Sequence, residues 1–157
     1  MTGFLQAISG WPGAAFLQEY WIAYLFVNAA HILGIGLLLG AILPLDLLLL
    51  RSSHGRDLPI LGPFLVRAAA TGTALAVTTG LWLFSVKPME YAENPAFLFK
   101  AILLVLAICN IALQHRGEYF DAALRSGLPT VRVRTLAVTS AILWFSVLVA
   151  GRWIGFV

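Results

Sequence analysis

The chain has 157 residues, of which 61% are hydrophobic and 11% are charged. Soluble domains carry about 25% charged residues, so a chain of this size and composition must use a lipid bilayer as solvent for much of its surface. The net charge of +3 comes from ten Lys and Arg residues without a basic cluster, which gives no indication of nucleic-acid binding. The single cysteine, Cys109, excludes an internal disulfide and covalent c-type haem attachment.

The first twenty residues are apolar but are interrupted by Gly10, Pro12 and Gly13. Residues 4–9 are predicted to form a short interfacial helix and residues 11–13 a turn, with Trp and Tyr types that settle at membrane interfaces. The thirty residues from Trp21 to Leu50 are almost continuously apolar. Roughly 20 such residues already cross a bilayer, so a first transmembrane span is predicted at about residues 20–49.

Three further apolar stretches are predicted to span the membrane, at about residues 64–86, 95–114 and 135–156. The polar segments between the spans, residues 51–63 (with His54), 87–94 and 115–134, are predicted to be loops. Asn94 and Pro95 have the residue types of a helix N-cap and first turn, so the third span should begin there. The predicted fold is all-α: one integral membrane domain, a four-helix bundle with a short N-terminal interfacial helix.

Positive charges are divided unevenly between the two sides of this bundle. Loops that face the cytoplasm carry an excess of Lys and Arg, and seven such residues flank the first and third loops while three lie on the other side. Both termini are therefore expected outside. The seven are Arg51, Arg56, Arg67, Arg116, Arg125, Arg132 and Arg134, and the three are Lys87, Lys100 and Arg152.

The polar residues of the first span share one face. Asn28, His31 and Asp46 lie on a common stripe when successive residues are turned by about 100°, and intramembrane polar groups normally face the protein interior. Gly36 and Gly40 lie on the opposite side, as a pair of small residues that permits close approach of another helix. In the second span, Gly72 and Gly80 lie on a smooth face of small residues. The third and fourth spans each have a polar face that is predicted to point inward. These faces hold Lys100, Asn110 and Gln114 in the third span, and Thr135, Thr139, Ser146 and Trp153 in the fourth.

Four of these polar residues are candidates for function, and each also has a structural explanation. His31 is a candidate ligand of haem or copper or a proton relay, but an interhelical hydrogen bond explains it as well. His115 fits a solvated helix end, and its depth differs from that of His31, which counts against a simple two-histidine haem. Lys100 fits snorkelling to the interface or an anionic partner. Asp46 fits a salt bridge to Arg51 or Arg67.

No nucleophile–base pair, paired carboxylates or Gly-rich phosphate loop is visible, so the sequence shows no conventional catalytic machinery.

A set of short motifs runs along nearly the whole chain. They are Ala30-His31-Ile32-Leu33-Gly34 leading to Asp46-Leu47, then Thr79-Gly80-Leu81-Trp82-Leu83-Phe84, and Asn94-Pro95-Ala96-Phe97 followed by Lys100, Asn110 and His115. Together they resemble a family of uncharacterised bacterial inner-membrane proteins, distantly similar to CopD-type copper-resistance proteins and to four-helix b-type cytochromes. The resemblance implies a multi-pass protein of the bacterial inner membrane and makes haem b or copper a plausible cofactor.

The leading hypothesis is a redox or metal-handling membrane component. His31 would contact the cofactor, Asn28 would position its ring, His115 is a further candidate, and Gly72 and Gly80 would let a flat macrocycle lie against the second span. One alternative is a non-catalytic anchor or assembly subunit that binds a protein partner, or a second copy, through its Gly and Ala faces. Another is a small oligomeric transporter or channel in which Asn28, His31 and Asp46 line a polar path.

Overall fold

A computed structural model describes residues 2–51 and 56–156. Within these ranges the secondary structure is helical, with no strand. The helices are α1 (Thr2–Ser9), α2 (Pro12–Glu19), α3 (Trp21–Arg51), α4 (Asp57–Val86), α5 (Pro88–Glu93), α6 (Pro95–Gln114), α7 (Tyr119–Ser126) and α8 (Val131–Trp153), followed by a 3-10 turn (Ile154–Phe156).

Four segments are long and apolar enough to cross a membrane: α3, α4, α6 and the stretch Val131–Phe156. The predicted all-α bundle of four spanning helices is therefore confirmed, and the chain is a multi-pass membrane protein. The end of the bundle at which α3 and α6 terminate is called the α7 end. The opposite end is called the α5 end.

The predicted loops are more helical than expected. Residues 57–63 belong to α4. Pro59 is tolerated because it lies in the first turn of the helix, where backbone N–H groups have no helical partner. Pro63 lies inside the helix, which continues through it. The predicted turn at residues 11–13 instead starts α2, with Pro12 as its first residue. The other two loops contain α5 and α7. His54 lies outside the described residues.

Helices α3 and α4 form the closest pair in the bundle. Their backbones touch at Gly34 and Gly72: a methyl group at Gly72 would overlap the Leu38 backbone nitrogen, and one at Gly34 would lie 2.7 Å from the nitrogen of Ala76. Small residues of this kind let membrane helices pack backbone against backbone. Gly36 and Gly40, on the other side of α3, have open space beside them. Binding of a partner at these two glycines stays a prediction.

The second closely packed pair is α6 with α8, and α8 also packs against α3. The side chains of Leu38, Leu103 and Trp144 form part of the core between these three helices. At the α7 end, Arg132 links α8 to the end of α6, because its Nη2 donates to the carbonyls of Leu113 (3.0 Å) and Arg116 (3.3 Å). Helices α4 and α6 are not a closely packed pair, which leaves a gap between them.

At the α5 end, hydrogen bonds join the α2 segment to α4. Trp82 Nε1 donates to the carbonyl of Gly13 (2.8 Å), and Trp11 Nε1 donates to the hydroxyl of Ser85 (3.0 Å). The predicted cap of α6 is confirmed, because Asn94 Oδ1 accepts from the backbone nitrogens of Ala96 and Phe97.

An aromatic cluster holds α5 between α4 and α6. The rings of Phe84 and Phe97 stack with centroids 5.4 Å apart, and the Tyr91 ring lies 5.2 Å from Phe97. Burial in this cluster raises the pKa of Tyr91 above its usual value. The Tyr91 hydroxyl therefore stays protonated across the physiological pH range.

Candidate functional site

The gap between α4 and α6 leads into a cavity of about 520 Å³. Pockets for small molecules usually measure about 300 to 1,000 Å³, so the space is large enough for a ligand. Its walls are mainly aliphatic, with Leu38, Ile42 and Leu45 from α3 and Ile111 from α6. Polar side chains gather towards the α7 end.

Asp46 is the ionisable α3 side chain in this polar region. It is buried, with 3% of the residue exposed, and Ser140 of α8 donates a hydrogen bond to its carboxyl group. The second oxygen, Oδ2, has no hydrogen-bond partner among the residues that the structure describes. Neither Arg51 nor Arg67 pairs with Asp46, so the salt bridge considered from the sequence does not form.

Two amide side chains of α6 lie beside Asp46 along the cavity wall. Asn110 Nδ2 donates to the Leu136 carbonyl of α8 (3.1 Å), and Gln114 Nε2 donates to the Val133 carbonyl (3.2 Å). The Gln114 Oε1 atom is buried and has no hydrogen-bond partner in the described part of the chain. The predicted inward face of the third span is thus confirmed at Asn110 and Gln114. We call Asp46, Asn110, Gln114 and Ser140 the acid cluster.

The face predicted for the fourth span does not include Ser140, and it is wrong at three of its four residues. Thr135, Thr139 and Trp153 are exposed and Ser146 is half-buried, whereas Ser140 and Trp144 are buried. The reason is that threonine satisfies its own hydroxyl on a helix: Thr135 donates to the Val131 carbonyl and Thr139 to the Thr135 carbonyl. A threonine can therefore face lipid, and it does not mark the interior.

The cavity is bounded by α7 at one end and edged by exposed residues at the side. At the α7 end it is bounded by His115 and by Phe120 of α7, whose rings lie 4.8 Å apart. Phe120 is buried, so α7 forms a floor. The side towards the α4–α6 gap is edged by small exposed residues of α4, namely Ala70, Ala74 and Thr78. A molecule would reach the acid cluster from the hydrocarbon of the bilayer.

His31 lies apart from this cavity, in the interface between α3 and α4. Its Nδ1 donates to the Ala76 carbonyl at 2.9 Å and lies 3.1 Å from the Thr79 hydroxyl. Fifteen residues separate it from Asp46, a distance of about 22 Å along the helix. The interhelical hydrogen bond expected as one alternative for His31 is the contact that the structure contains.

The residues predicted to surround a haem are not brought together. The space beside Gly72 is filled by the α3 backbone, and a methyl group at Gly80 would lie 2.9 Å from Cε1 of His31. Asn28 is exposed and does not bond to His31, while His115 lies at the α7 end. No three His, Cys, Asp or Glu side chains among the described residues are grouped to hold a metal ion. These residues do not fit a two-histidine haem.

Lys100 is half-buried, one turn into α6 at the α5 end. A methyl group at Gly151 of α8 would lie 3.3 Å from the Lys100 Nζ, so the missing side chain there makes room for the ammonium group. Among the described residues, Lys87 and Glu90 form the ion pair, at 3.0 Å, and Lys100 forms none. This position agrees with a lysine that reaches towards the interface.

Comparisons with protein families, with curated proteins and with solved structures give no match to this chain. The resemblance to the bacterial membrane family and to CopD-type proteins therefore stays a prediction.

Proposed function

We propose that this protein is a membrane-embedded binding protein or carrier for a small, mainly apolar molecule, in the inner membrane of a bacterial cell. The observation that carries the proposal is the cavity between α4 and α6, which opens towards the bilayer and ends on unpartnered polar atoms. This is the transporter alternative of the sequence analysis, with the site placed around Asp46 instead of along a path through His31.

Asp46 supports a binding role because a buried carboxyl with an unused oxygen is costly in a membrane protein. Ionisable residues inside the bilayer commonly mark the path or the site of a substrate. The aliphatic walls provide the apolar contact area that small-molecule sites require, and the few polar groups would orient the ligand.

The first experiment measures binding of two naphthalene probes, 2-naphthylethylamine and 2-naphthylethanol, to the full chain in phosphatidylcholine nanodiscs by equilibrium dialysis. Empty nanodiscs give the correction for partition into lipid. We expect saturable binding of at least one probe at one site per chain. Ala74→Phe should abolish it, because the ring would fill the open side of the cavity.

The matched control is Ala112→Phe, since Ala112 is exposed on α6 and does not line the cavity. Binding that survives Ala74→Phe, or that neither probe shows with the unaltered chain, would overturn the proposed function.

Redox or metal handling is the second candidate, and one contact favours it. Because Nδ1 of His31 donates to the Ala76 carbonyl, the neutral ring keeps a bare Nε2, as metal-bound histidines do. A reduced b-type spectrum or stoichiometric copper in purified protein, lost in His31→Ala and kept in His115→Ala, would support this function. Colourless, metal-free protein would overturn it.

A further inference from the structure

We infer that the ligand of this cavity is a lipophilic amine, an ammonium group on an apolar body, with the ammonium bound by Asp46 and Gln114. This inference rests on the proposed function and names the class of molecule that the same site would take.

The first argument is the balance of donors and acceptors in the acid cluster. The amide nitrogens of Asn110 and Gln114 already donate to backbone carbonyls of α8, and the Ser140 hydroxyl donates to Asp46. With Asp46 in its carboxylate form, the two buried atoms of this cluster that have no partner among the described residues, Asp46 Oδ2 and Gln114 Oε1, are both acceptors. A ligand that completes this cluster must bring N–H or O–H donors.

His115, at the end of the cavity, adds to the same imbalance. Its Nδ1 lies 3.0 Å from the Ile111 carbonyl, and because a carbonyl can only accept, Nδ1 carries the proton. This donor is thus already occupied and is not available to a ligand. The polar end of the cavity is therefore poor in free donors.

The second argument is charge. Among the described residues, the cavity is lined by Asp46 but by no lysine or arginine, and Asp46 forms no ion pair with any of them. A buried carboxylate without a counter-ion is strongly unfavourable, and a cation that also donates hydrogen bonds offsets this cost. A neutral alcohol would supply a donor without the charge, and a highly hydroxylated molecule would be mismatched with the aliphatic walls.

The third argument is the route into the site. Phe120 of α7 bounds the cavity at the α7 end, while the exposed residues Ala74 and Thr78, in the membrane-spanning part of α4, edge the cavity between α4 and α6. A molecule that uses this opening has to partition into the membrane first. Lipophilic amines do so with the ammonium near the interface and the apolar body in the hydrocarbon, as the side chains of Lys and Arg do.

The test compares the amine and the alcohol probes on the unaltered chain in neutral phosphatidylcholine nanodiscs. The primary amine is protonated at pH 7, as lysine is. A hydrogen bond to a charged group strengthens binding by roughly 10- to 100-fold, so we expect the dissociation constant of the amine to be lower than that of the alcohol by this factor.

Asp46→Asn should remove the preference and leave binding of the alcohol intact, which also reports that the variant is folded. Asp121→Asn is the matched control, because Asp121 is an exposed carboxylate on α7 outside the cavity lining, and it should keep the preference.

The outcomes separate the two proposals. Equal affinity of the unaltered chain for both probes, with both lost in Ala74→Phe, overturns the amine inference and leaves the binding function standing. A preference for the amine that persists in Asp46→Asn also overturns the inference. Failure of both probes to bind overturns the proposed function and the inference with it.

Discussion

At the scale of single residues, the buried polar side chains of this bundle differ in how completely they are paired. His31 and Asn110 each donate to a backbone carbonyl of a neighbouring helix, Ala76 of α4 and Leu136 of α8. Asp46 has a partner for one oxygen and none for the other. The first two residues therefore join helices, whereas Asp46 retains an acceptor that a ligand can use.

The first residue-level prediction concerns stability. His31→Ala should lower the free energy of unfolding by about 1 kcal/mol, the usual size of an interhelical hydrogen bond in a membrane protein. Asn28→Ala, on the same helix but exposed, should change it by much less. Reversible unfolding of the two variants in micelles tests this, and equal losses of stability would contradict the role given to His31.

The sequence predicted part of the candidate site for a physical reason. Asp46, Asn110 and Gln114 carry carboxyl and amide groups that cannot satisfy themselves on their own helices, and such groups usually face the interior. Asn28 is an exception, because its side chain on α3 is exposed. Ser140 escaped notice because hydroxyl groups can bond to their own helix, as Thr139 does. His31 was given a cofactor role because its residue type indicates a ligand, while its carbonyl partner on α4 is visible only in three dimensions.

At the scale of helices, the contact between α3 and α4 depends on two glycines that face each other. Gly34 and Gly72 leave no room for a side chain, whereas Gly36 and Gly40 on the same α3 helix have open space. The sequence contains both kinds of glycine at similar spacing, and which pair meets the neighbouring helix depends on the rotation of α3. The pattern alone therefore did not show which glycines hold the bundle together.

We predict opposite effects for alanine at the two kinds of position. Gly72→Ala should destabilise the protein by about 1 to 3 kcal/mol, the usual cost of overpacking, because its methyl group would meet the backbone of Leu38. Gly40→Ala should be neutral or stabilise by up to about 1 kcal/mol, since alanine is the better helix former. Thermal unfolding in one detergent compares them, and a Gly40→Ala variant that is the less stable of the two would contradict this packing.

At the scale of the whole molecule, hydropathy predicted the four spans because each helix must cover the bilayer with apolar side chains. It could not predict the cavity. That space exists because α4 and α6 both pack onto other helices but not closely onto each other. Such an arrangement depends on contacts between pairs of helices, which the hydropathy of a single stretch of sequence does not report. Sequence patterns do not predict the short helices α5 and α7 for a similar reason, since their buried residues are few: Pro88 in α5, and Phe120 and Ala123 in α7.

The orientation in the membrane gives a prediction for the whole chain. The excess of arginine at the α7 end predicts that this end lies in the cytoplasm. In a Cys109→Ala background, Glu93→Cys at the α5 end should react with a membrane-impermeant maleimide on intact spheroplasts. Asp121→Cys on α7 should react only after lysis. Both replaced carboxylates are exposed, and the reverse pattern of labelling would show the opposite orientation.

Two of the hydrogen bonds that join the α2 segment to the end of α4 have a consequence for biosynthesis. Gly13 and its partner Trp82 are 69 residues apart, and Trp11 and Ser85 are 74 apart, with the whole first span between them. While the chain is being made, the amino-terminal segment can contact α3, but it cannot form these two hydrogen bonds until the second span has crossed the bilayer and brought Trp82 and Ser85 to the α5 end. Formation of both bonds is thus a late step that follows completion of the first hairpin, and a ribosome stalled before residue 82 would leave Trp11 and Gly13 without these partners.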